Sequence, residues 1–180
     1  MFLNGILTNA EIWHNVKKSE IEELEELDVS LLRKILKVPV STPKESFFLE
    51  LGILPISTVI KRRRIVYLHY LSNLNKSEML YKFFITQWNK PTRGDWSELV
   101  KADLRDFGMT DDFEEIQSKS KQSYKKVVKI KSKEYAFEKL SEVKDGHSKL
   151  TNINYTEIKM QEYLKSDNIR MQEALNLFKF

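Results

Sequence analysis

The chain has 180 residues, 41% apolar and 31% charged, with only five glycines, four prolines and no cysteine. That length suits one domain or two small ones with a real core, and the balance is that of a globular chain rather than a disordered one. The missing cysteines exclude a disulfide framework, a cysteine-ligated zinc and a cysteine nucleophile, while His14, His69 and His147 lack the spacing of metal ligands, so no metal or cofactor is expected. The net charge of +4 says little, but the basic residues are blocked rather than scattered. No signal-like start and no apolar run near the ~20 residues of a membrane span is seen, so an intracellular protein, nuclear or cytoplasmic, is expected without a membrane partner.

Scarce glycine and proline favour long helices, and start signals recur. Ser19-Glu20-Ile21-Glu22 has the form of a capping box, the serine oxygen taking an orphan N–H and Glu22 reaching back. The helix it opens carries Ile21, Leu24, Leu27, Leu31 and Ile35 at spacings of three and four, which predicts that face turned inward. Its start is acidic (Glu20, Glu22, Glu23, Glu25, Glu26, Asp28) and its end basic (Arg33, Lys34, Lys37), as a helix dipole prefers, and Pro39 stops it. Thr42-Pro43-Lys44-Glu45 repeats the device with proline at the first helical position, placing Phe47, Phe48 and Leu51 inward before Gly52.

Pro55 opens a helix over 56–71, and another runs over 77–88. After the loop NKPTRGDW, Asp95-Trp96-Ser97-Glu98 begins a helix that Gly108 closes. A short acidic turn from Thr110 leads into the longest helix, 118–144, stopped by Gly146. Residues 148–156 show no steady period, and helical pieces over 158–164 and 170–178 finish the chain. These signals predict an all-α, irregular bundle of about seven to nine helices, in two lobes at 1–108 and 109–180, with only ILPIS ambiguous for a strand.

Two basic blocks stand out. In VIKRRRIVYLHYL, the helix puts Ile56, Val59, Ile60, Val66, Tyr67, Tyr70 and Leu71 on one broad stripe that includes Arg63, with Lys61, Arg62 and Arg64 around its margins and Ile65 and Leu68 on another side. The arginine stems can pack on apolar neighbours while their heads reach water, or the guanidinium groups can hold phosphates; both can be true together. The second block, SKSKQSYKKVVKIKSK, has seven lysines and no acid. Lys121, Lys125, Lys129 and Lys133 recur every four residues along one face, with Lys126 beside them and Val127, Ile130, Phe137 and Leu140 on another side. A polyanion would relieve their mutual repulsion by counterion release; the alternatives are a solvated face or one answered by the acidic helix start.

Phe83 and Phe84 read as core, whereas Trp88 and Trp96, beside a basic loop, are candidates to stack on bases. The pair Asp111-Asp112 follows a helix-ending glycine and reads as a helix start rather than a magnesium site. No glycine-rich phosphate loop and no nucleophilic triad is present, so no catalytic residue is expected.

The block TPKESFFLELGILPISTVIKRRRIVYLHYL resembles the region just downstream of the polymerase palm in non-LTR (LINE-like) retrotransposon reverse transcriptases. Upstream, NAEIWHNVKKSEIEELEELDVSLLRKIL is similar to the start of that region, with Glu11 and Trp13 leading to a helix that ends Leu32 to Leu36. Downstream, FFITQWNKPTRGDWSELVKADLRDFGM is similar as well; the likeness is clearest over 9–109. The resemblance implies the thumb and post-thumb helices of an RNA-directed DNA polymerase, which grip a template–primer duplex by its backbone. Phosphate contact by Lys61, Arg62, Arg63, Arg64, Lys121, Lys125, Lys126, Lys129 and Lys133 is an inference added to that. The fingers, the palm with its metal-binding aspartates and a Cys/His zinc knuckle have no counterpart here, and Leu7 stands where the family pattern has a tyrosine. The sequence thus points to a non-catalytic fragment that binds RNA or an RNA–DNA duplex, with the rest of a reverse transcriptase as a further partner. The alternatives are a helical protein-interaction scaffold and a retroelement remnant without function.

Overall fold

Besides the helical residues Gly5 and Ile6, seven α-helices and one 3-10 turn make up the helical structure of residues 5–144 and 155–161, the part that the computed structural model describes. The turn is Ala10–Ile12, followed by α1 Lys18–Leu36, α2 Lys44–Leu51, α3 Ile56–Ser72, α4 Met79–Asn89, α5 Trp96–Asp106, α6 Phe113–Ser118 and α7 Lys121–Lys144. The architecture is all-α, as the punctuation predicts. Among the described residues the only extended pairing is an isolated antiparallel bridge between Leu51 and Met160, and ILPIS simply leads into α3.

The caps hold where the side chain has an N–H to take. Asp95 accepts from the Glu98 N–H at 2.8 Å and starts α5. At the other end, Gly108 adopts φ 59°, and the Met109 and Gly108 N–H groups return to Leu104 and Arg105 carbonyls at 2.8 and 3.0 Å, the Schellman pattern. Two expected capping boxes do not form. α1 already begins at Lys18, so Ser19 lies inside its first turn. Pro43 occupies the cap of α2 rather than its first helical position and has no side-chain acceptor, while Thr42 belongs to the preceding turn, its N–H bonded to the Pro39 carbonyl at 3.0 Å.

The chain divides into two compact units, each made of two segments: unit 1 from Met1–Lys17 and Ser57–Ser132, unit 2 from Lys18–Ile56 and Lys133–Phe180. This division differs from a single boundary near Gly108, and α7 contributes its first half to unit 1 and its second to unit 2.

Unit 2 is built around Val29, Val38, Phe47, Phe48, Leu49, Ala136, Leu140 and Ile158, with Leu32 and Leu36 packed against them. The inward face of α1 is therefore Val29, Leu32 and Leu36, and not the predicted one: Leu27 and Ile35 are 53% and 61% exposed. Apolar residues spread round much of this helix, so spacings of three and four fit two faces, and packing chose the second. Acidic Glu25 and Glu26 meet Lys44 at 3.5 and 3.1 Å.

Gly52 ends α2 in the left-handed region, φ 67°, where the chain passes against its own later backbone. A Cβ there would lie 2.2 Å from the Met160 nitrogen. The Gln161 N–H bonds the Glu50 carbonyl at 3.1 Å, and the Tyr155 hydroxyl donates to the Glu50 carboxylate. Residues 158–161 thus run along α2 instead of starting the helix expected over 158–164; 162–164 and the piece over 170–178 lie outside the described residues.

Unit 1 is organised on α3, whose Ile60, Ile65, Leu68 and Leu71 are buried. In α7, Tyr124, Val128 and Ser132 repeat every four residues and are buried, while Ile130, expected on the apolar side, is 48% exposed. Phe84, Trp88, Trp96 and Phe113 form an aromatic cluster with ring centroids 5.9–6.4 Å apart. Phe83 is 68% exposed, contrary to its core expectation; the helix turns it about 100° away from Phe84.

Candidate nucleic-acid interface

Successive residues of a helix point about 100° apart, so four cations in a row cannot share a task. Arg64 is the buried one, 8% exposed, and its Nε and Nη2 donate to Asp103 of α5 at 2.6 and 3.1 Å while Nη1 donates to the Trp13 carbonyl at 3.1 Å. Lys61 pairs with Asp106 and lies 3.9 Å from Asp103. These two cations hold α5 to α3. The stripe predicted from the sequence holds at Ile56, Ile60 and Leu71, which are buried, and fails at Arg63, since Arg64 lies on the buried side instead. Tyrosine and valine were counted there as apolar, yet Val66, Tyr67 and Tyr70 face a cleft with Arg62 and Arg63.

That cleft, about 640 Å³ and wholly within unit 1, is lined from α3 and from residues 119–125. Five cations border it (Arg62, Arg63, Lys119, Lys121 and Lys125), against one carboxylate, Glu11. Arg63 donates to the Leu7 carbonyl, and Lys119 is held by Glu115 at 2.6 Å. Arg62, Lys121 and Lys125 make no hydrogen bond or ion pair among the described residues. Burial, and then the charge of Arg63, hold the Arg62 guanidinium below its ordinary range. An anion placed there would be met by charge that the fold has left unanswered.

The aromatic side of the cleft is ordered. Tyr67 and Tyr70 are stacked at 5.6 Å, and Tyr70 is half exposed. The His69 Nε2–H donates to the Lys119 carbonyl at 2.8 Å, tying α3 to the start of the lysine block, and its ring lies on that of Tyr124 at 4.7 Å. Tyr124 is fully buried and its hydroxyl has no hydrogen-bond partner among the described residues. Burial, then the charge of Glu115, push that hydroxyl above the ordinary tyrosine range.

The structure therefore joins parts of the two basic blocks and discards other parts. Arg62, Arg63, Lys121 and Lys125 share one cleft; Lys126 and Lys129 are exposed outside it. Lys133 belongs to unit 2 and donates to the Ile158 carbonyl at 2.9 Å, so the expected lysine row is interrupted. Trp88 and Trp96, candidates to stack on bases, are core: Lys101 lies 4.6 Å above the Trp88 ring, and the Trp96 indole N–H donates to the Glu11 carbonyl at 2.7 Å. Tyr67, Tyr70, His69 and Tyr124 were missed, although Arg63, Tyr67 and Tyr70 at spacings of four and three already shared a face.

Asp112 caps α6, accepting from the Glu114 N–H at 2.9 Å, the role that its sequence position predicts. Among the described residues no three His, Asp or Glu side chains gather as metal ligands would, and no helix is long and apolar enough to cross a membrane. Comparison with protein-family models, curated proteins and solved structures finds no match to this chain. The site's own chemistry offers guanidinium and ammonium groups suited to phosphate oxygens, and an open ring face suited to stacking.

Proposed function

We propose that the chain is a non-catalytic, nucleic-acid-binding helical module that holds an RNA–DNA or RNA duplex by its phosphates. In this reading it is the thumb-like part of a non-LTR retrotransposon reverse transcriptase, and the remainder of that polymerase is its partner. The carrying observation is the meeting of Arg62 and Arg63 with Lys121 and Lys125 at one cleft, from blocks far apart in sequence. Arginine forks bind phosphate oxygens in pairs, and lysines add point charges, so backbone grip with little base readout follows. Lys126 and Lys129 extend the positive edge along α7.

The test is binding of the purified chain to a labelled blunt RNA–DNA hybrid across a salt series, beside an unrelated basic helical protein. Affinity should fall with salt at a slope of roughly −0.9 per phosphate neutralised, and Arg62→Gln with Lys125→Gln should flatten it by about two such steps. An unchanged slope in that double variant would remove the cleft from the account. Binding no better than the control favours instead a protein-interaction domain. Its specific support is the exposed apolar set of Ile12, Leu80 and Phe83 beside a second cavity of about 620 Å³ in unit 1.

A further inference from the structure

Backbone grip leaves several features of the cleft unused. Phosphates on a rim need cations alone, yet this open cleft has a volume of about 640 Å³, within the range of small-molecule sites. The stacked bases of a duplex cannot enter such a space. One unstacked nucleotide can. Tyr70, half exposed, offers a ring face, and its stack on Tyr67 fixes the plane of that face. The cations without partners among the described residues, Arg62, Lys121 and Lys125, border the same space.

We infer that the cleft takes one unpaired nucleotide of a single-stranded overhang, its base stacked on Tyr70 and its phosphates on Arg62, Lys121 and Lys125. This rests on the nucleic-acid reading above and adds to it a site for the strand where the duplex ends. Such a site is tolerant of sequence, because every base has a π face. Tyr67 serves as a positioning residue, since its ring makes a T-shaped contact with that of Trp96, centroids 5.9 Å apart, which keeps the pair in place.

The experiment compares three ligands at one salt concentration: a blunt hybrid, the same hybrid with a four-nucleotide overhang, and that overhang made abasic. The overhang should bind about tenfold more tightly than the blunt form, and the abasic one should lose that gain. Tyr70→Ala should remove the gain and leave blunt binding intact, while Tyr70→Phe keeps it; the side chain is exposed enough for either variant to fold. Adenosine monophosphate should compete with the overhang more strongly than inorganic phosphate. Blunt and overhanging ligands of equal affinity, or equal competition by phosphate, would overturn the inference while sparing the duplex reading. Tight overhang binding without blunt binding would support the inference and overturn the duplex grip. No binding above the basic control would overturn both.

Discussion

Unit 1 keeps cations unanswered around an open space, whereas several cations of unit 2 are answered and the unit closes on its own backbone. In unit 2, Lys44 meets two glutamates, the Arg33 guanidinium donates to the Thr42 carbonyl at 2.9 Å, and Lys133 donates to a carbonyl. In unit 1, Arg62, Lys121 and Lys125 have no such partner among the described residues. The helix α7 carries both behaviours, with Lys125 serving the open space and Lys133 the closed one. Residue type does not separate an open lysine from a structural one; the neighbouring acceptors do.

The sharpest way to break this comparison lies inside unit 1, where Arg64 behaves as a unit 2 cation would. Arg64→Ala leaves Asp103 charged and buried, and should cost about 3–5 kcal/mol of stability, read from denaturant midpoints. Arg62→Ala should cost less than about 1 kcal/mol. Equal losses would sink the division of the four cations into structural and open.

Next in size is Gly52→Ala in unit 2. The new Cβ would meet backbone that cannot swing aside, at a φ that already disfavours alanine, so a loss above about 2 kcal/mol is expected with binding unchanged in the folded fraction. A wild-type midpoint would show that the 155–161 segment does not close this unit.

A smaller pair of variants sets the two halves of α7 against each other. Lys133→Gln should lower stability by about 1 kcal/mol and spare nucleic-acid binding, because it removes a charge-assisted bond. Lys125→Gln should do the opposite, leaving the midpoint within about 0.5 kcal/mol and weakening binding at low salt.

The smallest effect concerns Asp28, buried on α1, whose carboxyl is held above its ordinary range by burial. A raised carboxyl takes a proton more readily folded than unfolded, so its contribution turns unfavourable as pH climbs from the ordinary carboxylate range through the raised value. Asp28→Asn should therefore gain a few tenths of a kcal/mol at pH 7, nothing at low pH, and flatten that part of the stability profile. A variant that loses stability at pH 7 would show a role for the charge.

Local signals were legible in the sequence because they need only neighbours in the chain. Asp95, Gly108 and Asp112 could be read as caps or stops from the residue and its place. The phase of α1 and α3 could not, since Leu27, Ile35, Tyr67 and Tyr70 are apolar enough for either side, and only the packing partner decides. The pairing of Arg64 with Asp103 and the meeting of Arg62 with Lys121 and Lys125 depend on long-range contacts that no short pattern records. Both basic blocks were recognised as candidates; the cleft that selects among their members was not.

The 3.1 Å bond from the Gln161 N–H to the Glu50 carbonyl bears on the order of events during synthesis. Every segment assigned to unit 1 has been made once the chain reaches Ser132, while the acceptor edge of α2 still waits for residues 155–161. Closing so distant a contact has the larger loop-entropy cost and is slower than local helix formation. A chain truncated after residue 150 should therefore already protect the amides of α3 and α5 from exchange while the Gly52 edge stays unguarded, so the wall of the basic cleft would be in place before α2 is closed off.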